Sequence, residues 1–138
     1  MRDDKEKLER VLENIDRIKE YTKDGKDKFF REYLIQDAVV RNLQVIGEAI
    51  KDLSEDLKGQ RPDVEWRKAS RMRDKVTHDY FDVNYEIVWD TVENSLPSFR
   101  EKIQDIHQRL VYKVPSNREQ PTKLAKKLKD KANPRPTA

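Results

Sequence analysis

Leu8, Val11, Leu12, Ile15, Ile18 and Tyr21 recur three or four positions apart, with charged residues between them. That spacing gathers them on one face of a helix and predicts α-helix over residues 3–24. Gly25 is the expected left-handed cap, and Asp27 is placed to N-cap the next helix. Residues 28–57 carry Phe30, Leu34, Ala38, Val39, Leu43, Ile46, Ile50, Leu53 and Leu57 at helical spacings. Val40, Val45 and Ala49 widen that face, so this longer second helix is expected to be buried on more than one side, within the chain or against a second copy. Gly47 lies inside it at a cost of about 1 kcal/mol relative to Ala, which close helix approach would offset. A loop with Gly59 and Pro62 follows over 58–63. A third helix, N-capped by Asp63, then runs from 64 to 77 or 80. Trp66, Ala69, Met72 and Val76 form its apolar face, and Arg67, Lys68, Arg71, Arg73 and Lys75 its basic one. After a turn at 81–84, a fourth helix is predicted over 85–112, with Val88, Val92, Phe99, Ile103, Ile106 and Leu110 inward. Pro97 removes one ladder donor there, and the expectation is a kink in one helix rather than two helices. Four helices with short connections make an all-α, up-and-down four-helix bundle over residues 1–111. Residues 112–138 hold Pro115, Pro121, Pro134 and Pro136 with few aliphatics, and read as a flexible tail.

Composition narrows the options further. No run approaches the roughly 18–20 apolar residues of a spanning helix, so no membrane association is expected. Only 3 of the 138 residues are glycine, and short alternating stretches are missing, which argues against a sheet sandwich. With no cysteine, a disulfide scaffold, a thiolate nucleophile and a cysteine-ligated zinc site are excluded. The opening MRDDKEKLER has acids among its bases and no apolar run of the leader type, and the expected compartment is the cytoplasm. The net charge of +3 is unevenly spread: the tail carries eight Lys/Arg against Glu119 and Asp130, which leaves the preceding body mildly acidic. A protein-wide argument for nucleic-acid binding therefore does not follow from the net charge.

Chemistry concentrates at the end of the third helix. Of the two histidines, His107 lies on the outer half of the fourth helix and reads as a surface residue. His78 stands in Arg71-Met72-Arg73-Asp74-Lys75-Val76-Thr77-His78-Asp79-Tyr80. A guanidinium holds a phosphate through two parallel hydrogen bonds, and an imidazole exchanges a proton near neutral pH. Together they suit cleavage of a phosphodiester that carries its own nucleophile, the ribose 2′-hydroxyl, without a metal or other cofactor. Arg73 and Tyr80 are seven apart and share a helix face. Arg73 and His78 are five apart, roughly 140° around a straight helix, and do not converge unless something gives. The helix distorts near Thr77, Arg73 reaches round, or a second subunit completes the site. Arg71 and Lys75 share a face with His78 and are candidates to hold an RNA backbone. The alternative is a solvated basic face with a histidine favoured by the helix dipole.

The stretch Arg73 to Tyr80 fits the pattern R-x4-H-x-Y. It is followed by Phe81-Asp82-Val83-Asn84-Tyr85-Glu86-Ile87-Val88-Trp89 and preceded by Val45-Ile46-Gly47-Glu48-Ala49. This combination resembles the HepT-like ribonucleases, the toxin half of the HEPN–MNT toxin–antitoxin modules, over roughly residues 3–111. The resemblance implies a HEPN-type all-α bundle that forms a homodimer, with the two motifs facing a shared cleft. It implies metal-independent endoribonuclease activity with Arg73 and His78 as the catalytic pair, and Thr77 and Asp79 as supporting motif positions. Tyr80 would be the residue to which a partner antitoxin, a minimal nucleotidyltransferase, transfers AMP groups from ATP. The added bulk and negative charge would sit where RNA phosphates must dock. Many relatives carry Asn directly after the motif arginine, whereas this chain has Asp74, whose charge could orient Arg73 or His78 or oppose phosphate. The other function class consistent with the residues is a non-catalytic helical subunit that docks a nucleotidyltransferase or its substrate.

Overall fold

The computed structural model describes residues 2–71, 74 and 83–112, and every element among them is helical. The elements are α1 (Arg2–Tyr21), α2 (Lys26–Arg31), α3 (Tyr33–Lys51), α4 (Glu55–Gln60), α5 (Trp66–Ser70), α6 (Tyr85–Asp90), a π-helical turn (Thr91–Ser95) and α7 (Leu96–Val111). The expected all-α bundle is what forms. No described helix is long and apolar enough to cross a membrane.

The heptad-like stripe of α1 is buried as its spacing requires: Leu8, Val11, Ile15 and Ile18 are inaccessible or nearly so. They pack against α3, which contributes Val39, Leu43, Ile46 and Ile50, and against α7, which contributes Ile103 and Ile106. Truncating such a residue to Ala costs about 2–5 kcal/mol through lost transfer energy and a residual cavity. Gly47 is buried inside α3, as expected of a position of close approach.

Three boundaries differ from the sequence reading. Gly25 does not cap α1, which ends at Tyr21. It N-caps α2 with φ 96° and ψ 179°, a combination essentially reserved for glycine, and its carbonyl accepts from the Phe29 amide at 3.2 Å. Asp27 therefore lies in the first turn of α2 and not at its cap.

The predicted helix over 28–57 is three helices. Glu32 is extended (φ −114°, ψ 114°), and the buried Gln36 side-chain amide donates to the Phe30 carbonyl at 3.3 Å, replacing a ladder bond that the break removes. Leu34, expected on the buried face, is 85% exposed beside Tyr33 as a result. Ser54 then starts α4: its hydroxyl oxygen accepts from the Leu57 amide at 3.2 Å. The buried Asp4 carboxylate fixes this corner from α1. It accepts from the Ser54 amide at 2.9 Å and from the Ser54 hydroxyl at 2.6 Å. Lys7 adds a bond to the Asp52 carbonyl at 2.8 Å.

Asp63 does not cap the third helix either. Arg61 grips its carboxylate through two bonds of 2.9 Å and also reaches Asp105 of α7 at 2.7 Å, while Glu65 takes the cap position. The fourth helix is continuous, as expected. The distortion near Pro97 is the π turn, in which the Leu96 amide bonds the Thr91 carbonyl, five residues back. Braces from Trp89 to Glu93 (3.0 Å), Asn94 to Asp90 (2.7 Å) and Thr91 to the Ile87 carbonyl (2.8 Å) hold it. His107 is not simply a surface residue. It is half-buried, with Nε2 3.1 Å from Glu9 Oε1 of α1.

Two predictions concern this scaffold. Asp4→Ala removes both acceptors of the Ser54 corner and lowers unfolding free energy by about 1–3 kcal/mol; an unchanged denaturant midpoint would show that the corner is held otherwise. The second concerns acid. Arg100 bonds Asp16 at 2.8 Å and holds its carboxyl below the ordinary range, as Arg61 does for Asp63 and His107 for Glu9. A carboxyl lowered in the folded state contributes stability that is complete above its unfolded pKa, about 4, and is lost as pH falls through the folded value. Unfolding midpoints should therefore drop below about pH 4. Asp16→Asn should flatten that slope, by no more than the ~0.2–1 kcal/mol of a solvent-screened pair.

Candidate functional site

The basic face begins on α5. Ala69 is buried against α3 and Trp66 is half-buried, its indole N–H donating to the Arg61 carbonyl at 3.0 Å. With these two turned inward, Arg67, Lys68 and Arg71 stand exposed, as the spacing predicts. Arg71 makes no side-chain ion pair among the described residues. Asp74 is helical and exposed, so its charge faces solvent close to that cationic surface. Arg73, Lys75, Thr77, His78, Asp79 and Tyr80 lie outside the described residues.

After these residues, Val83 is half-buried against the core. Asn84 N-caps α6, its side-chain oxygen accepting from the Glu86 and Ile87 amides at 3.1 and 3.2 Å. Val88 is completely buried, and the ring of Phe29 on α2 lies 5.3 Å from that of Trp89 and 6.3 Å from that of Tyr85. The stretch Val83 to Trp89, singled out with the motif in the sequence, thus has a plain physical task. It anchors the C-terminal end of the segment that carries Arg73, His78 and Tyr80, while Ala69 anchors the N-terminal end.

One feature has no counterpart in the sequence reading. A cavity of about 320 Å³ opens between the 63–69 stretch and the π turn with the start of α7. Its apolar lining is Val64, Ala69, Leu96 and Phe99, and Asn94, Ser95 and Ser98 add polar groups. Lys102 reaches across and donates to the Asp63 carbonyl at 2.6 Å. The polar run Asn94-Ser95 before Pro97 was the available signal, but on sequence it marks only a weak point in a helix.

The family model described as Ribonuclease HepT-like matches residues 11–106. The chain is 44% identical over 97 residues to "Putative RNase MJ0127" of Methanocaldococcus jannaschii, covering 70% of this chain and 80% of that relative. It is 37% identical over 108 residues to "Probable ribonuclease HepT" of Thermococcus cleftensis, covering 78% and 98%. It is 33% identical over 103 residues to "Putative RNase TTE0752" of Caldanaerobacter subterraneus subsp. tengcongensis, covering 74% and 92%. No solved structure gives a significant match. With an all-helical bundle on both sides of the R-x4-H-x-Y stretch in the chain, and a family match that spans that stretch, the chain belongs to the HepT-like ribonucleases.

Proposed function

We propose that this protein is a toxin endoribonuclease that cuts RNA through Arg73 and His78 and is silenced by adenylylation of Tyr80. The observation that carries the reading is the R-x4-H-x-Y stretch inside the region matched by the family. In the chemistry these residues suit, His78 takes the proton of a ribose 2′-hydroxyl. The 2′-oxygen then attacks the adjacent phosphorus, and Arg73 stabilises the doubly charged phosphorane. The 5′-oxygen leaves with a proton, giving a 2′,3′-cyclic phosphate and a 5′-hydroxyl. Arg71 and Lys75 hold the flanking backbone, and Thr77 and Asp79 support the motif. Asp74, which is exposed, orients Arg73 or His78 and lowers the local positive charge. No cofactor takes part in this scheme.

The family resemblance brings a homodimer into the reading, with two copies lining one cleft, which also answers the five-residue separation that keeps Arg73 and His78 from converging on a straight helix. Control comes from a nucleotidyltransferase antitoxin. The Tyr80 phenolic oxygen attacks the α-phosphorus of ATP, pyrophosphate leaves, and the new phosphodiester places negative charge at the cleft. Such a module acts in the cytoplasm, where its RNA is.

Purified protein incubated with RNA in EDTA should produce fragments ending in cyclic phosphate, and His78→Ala should slow this about 10²–10⁴-fold. Equal cutting by the two proteins would refute the assigned site. Intact RNA together with tight binding of the nucleotidyltransferase would instead support the non-catalytic docking subunit. With that partner and ATP, wild-type protein should gain mass in multiples of one AMP. A Tyr80→Phe protein that gains the same mass would exclude Tyr80 as the acceptor.

A further inference from the structure

We infer that the cavity between α5, the π turn and α7 is a nucleotide subsite, which holds the base and sugar of an RNA residue next to the one being cut. The inference rests on the ribonuclease reading and adds to it a place where sequence preference is set. At about 320 Å³ the cavity lies at the small end of the ~300–1,000 Å³ range of ligand pockets, room for one nucleoside and not for a duplex. The half-buried Phe99 contributes an aromatic ring to the wall, the kind of surface on which single-stranded bases stack. Asn94 spends one amide N–H on Asp90 and Ser98 its hydroxyl proton on the Ser95 carbonyl, which leaves the second Asn94 N–H, its carbonyl oxygen and the hydroxyl oxygens of the wall to read a base edge.

The wall is formally balanced, with Asp63 and Glu65 against Lys68 and Lys102, and what matters is how far each is already committed. Asp63 has its carboxylate neutralised by the two bonds from Arg61, and its carbonyl is taken by Lys102. Lys102 has three N–H donors and spends one on that carbonyl. Lys68 is exposed, and its contact with Glu65 is a loose 3.6 Å between two solvated side chains. Lys68 and Arg71 are three apart on one helix face, so a phosphate backbone leaving the cavity past Lys68 meets Arg71 next. The π turn fits the same assignment. Such turns recur at functional sites, and here the local widening of the helix displaces Asn94 and Ser95 to the cavity wall.

The test is an NMR titration of the full-length His78→Ala protein, chosen because it does not consume its ligand, with the four 5′-mononucleotides and with a short single-stranded RNA. Saturable amide shifts are expected at 94–99 and at Lys68, with the RNA binding more tightly than any mononucleotide. Adding Ser98→Trp, which fills the cavity from an exposed position, should weaken binding at least tenfold, and adding Lys68→Gln should weaken the RNA more than the mononucleotides. Absence of saturable shifts at 94–99, or shifts unaltered in a folded Ser98→Trp protein, overturns the subsite. Cleavage by wild-type protein with no such shifts would leave the ribonuclease reading standing and the subsite refuted. Saturable shifts without cleavage would do the reverse.

Discussion

Burial of the α1 stripe against α3 and α7 is the constraint from which the rest of the molecule follows. Leu8, Val11, Ile15 and Ile18 are received by α3 and α7 with Leu43, Ile46, Ile103 and Ile106. Once that three-helix contact is made, the polar links have fixed ends to join. Asp4 clamps the Ser54 corner, Arg100 ties α7 to Asp16, and Arg61 ties the 61–66 loop to Asp105. Each of these bonds is modest by itself because solvent screens it or replaces it. Their contribution is directional: they settle where α4 and α5 leave the bundle, and hence where the motif stretch begins.

On either side of the R-x4-H-x-Y stretch in the chain, Ala69 and Val88 are buried in the core, and Phe29, Tyr85 and Trp89 form a ring cluster. Among the described residues just before that stretch, Arg67, Lys68 and Arg71 stand exposed. A family resemblance read from the motif alone would leave Asn84, Tyr85 and Trp89 unexplained. The structure gives each a task as cap, aromatic packing partner and ring contact.

Much of this was legible in the sequence. The spacing of Leu8, Val11, Ile15 and Ile18, and that of Val39, Leu43, Ile46 and Ile50, determines buried faces directly, because a 3.6-residue period leaves those side chains on one side. The basic face at Arg67, Lys68 and Arg71 follows from the same geometry. What could not be read were features that depend on partners far along the chain. Asp63 looks like a helix cap until Arg61 and Lys102 are seen to claim it. Ser54 looks like one more residue of a long helix until Asp4, fifty positions earlier, is found bonded to it. The break at Glu32 likewise depends on Gln36 turning back to the Phe30 carbonyl. The cavity is assembled from two segments some thirty residues apart, and no local pattern announces it.

The π turn at Thr91–Ser95 has a geometric consequence of its own. Accommodating one residue more than an α-helical turn rotates everything upstream by roughly 100° relative to everything downstream. That lets a single continuous rod present its first two turns to α2, through Tyr85 and Trp89, and its last four to α1, through Ile103 and Ile106. The rod behaves as a phase shifter between two walls. A deletion of one residue within 91–95 would straighten the rod and swing the aromatic contacts of Tyr85 and Trp89 away from Phe29.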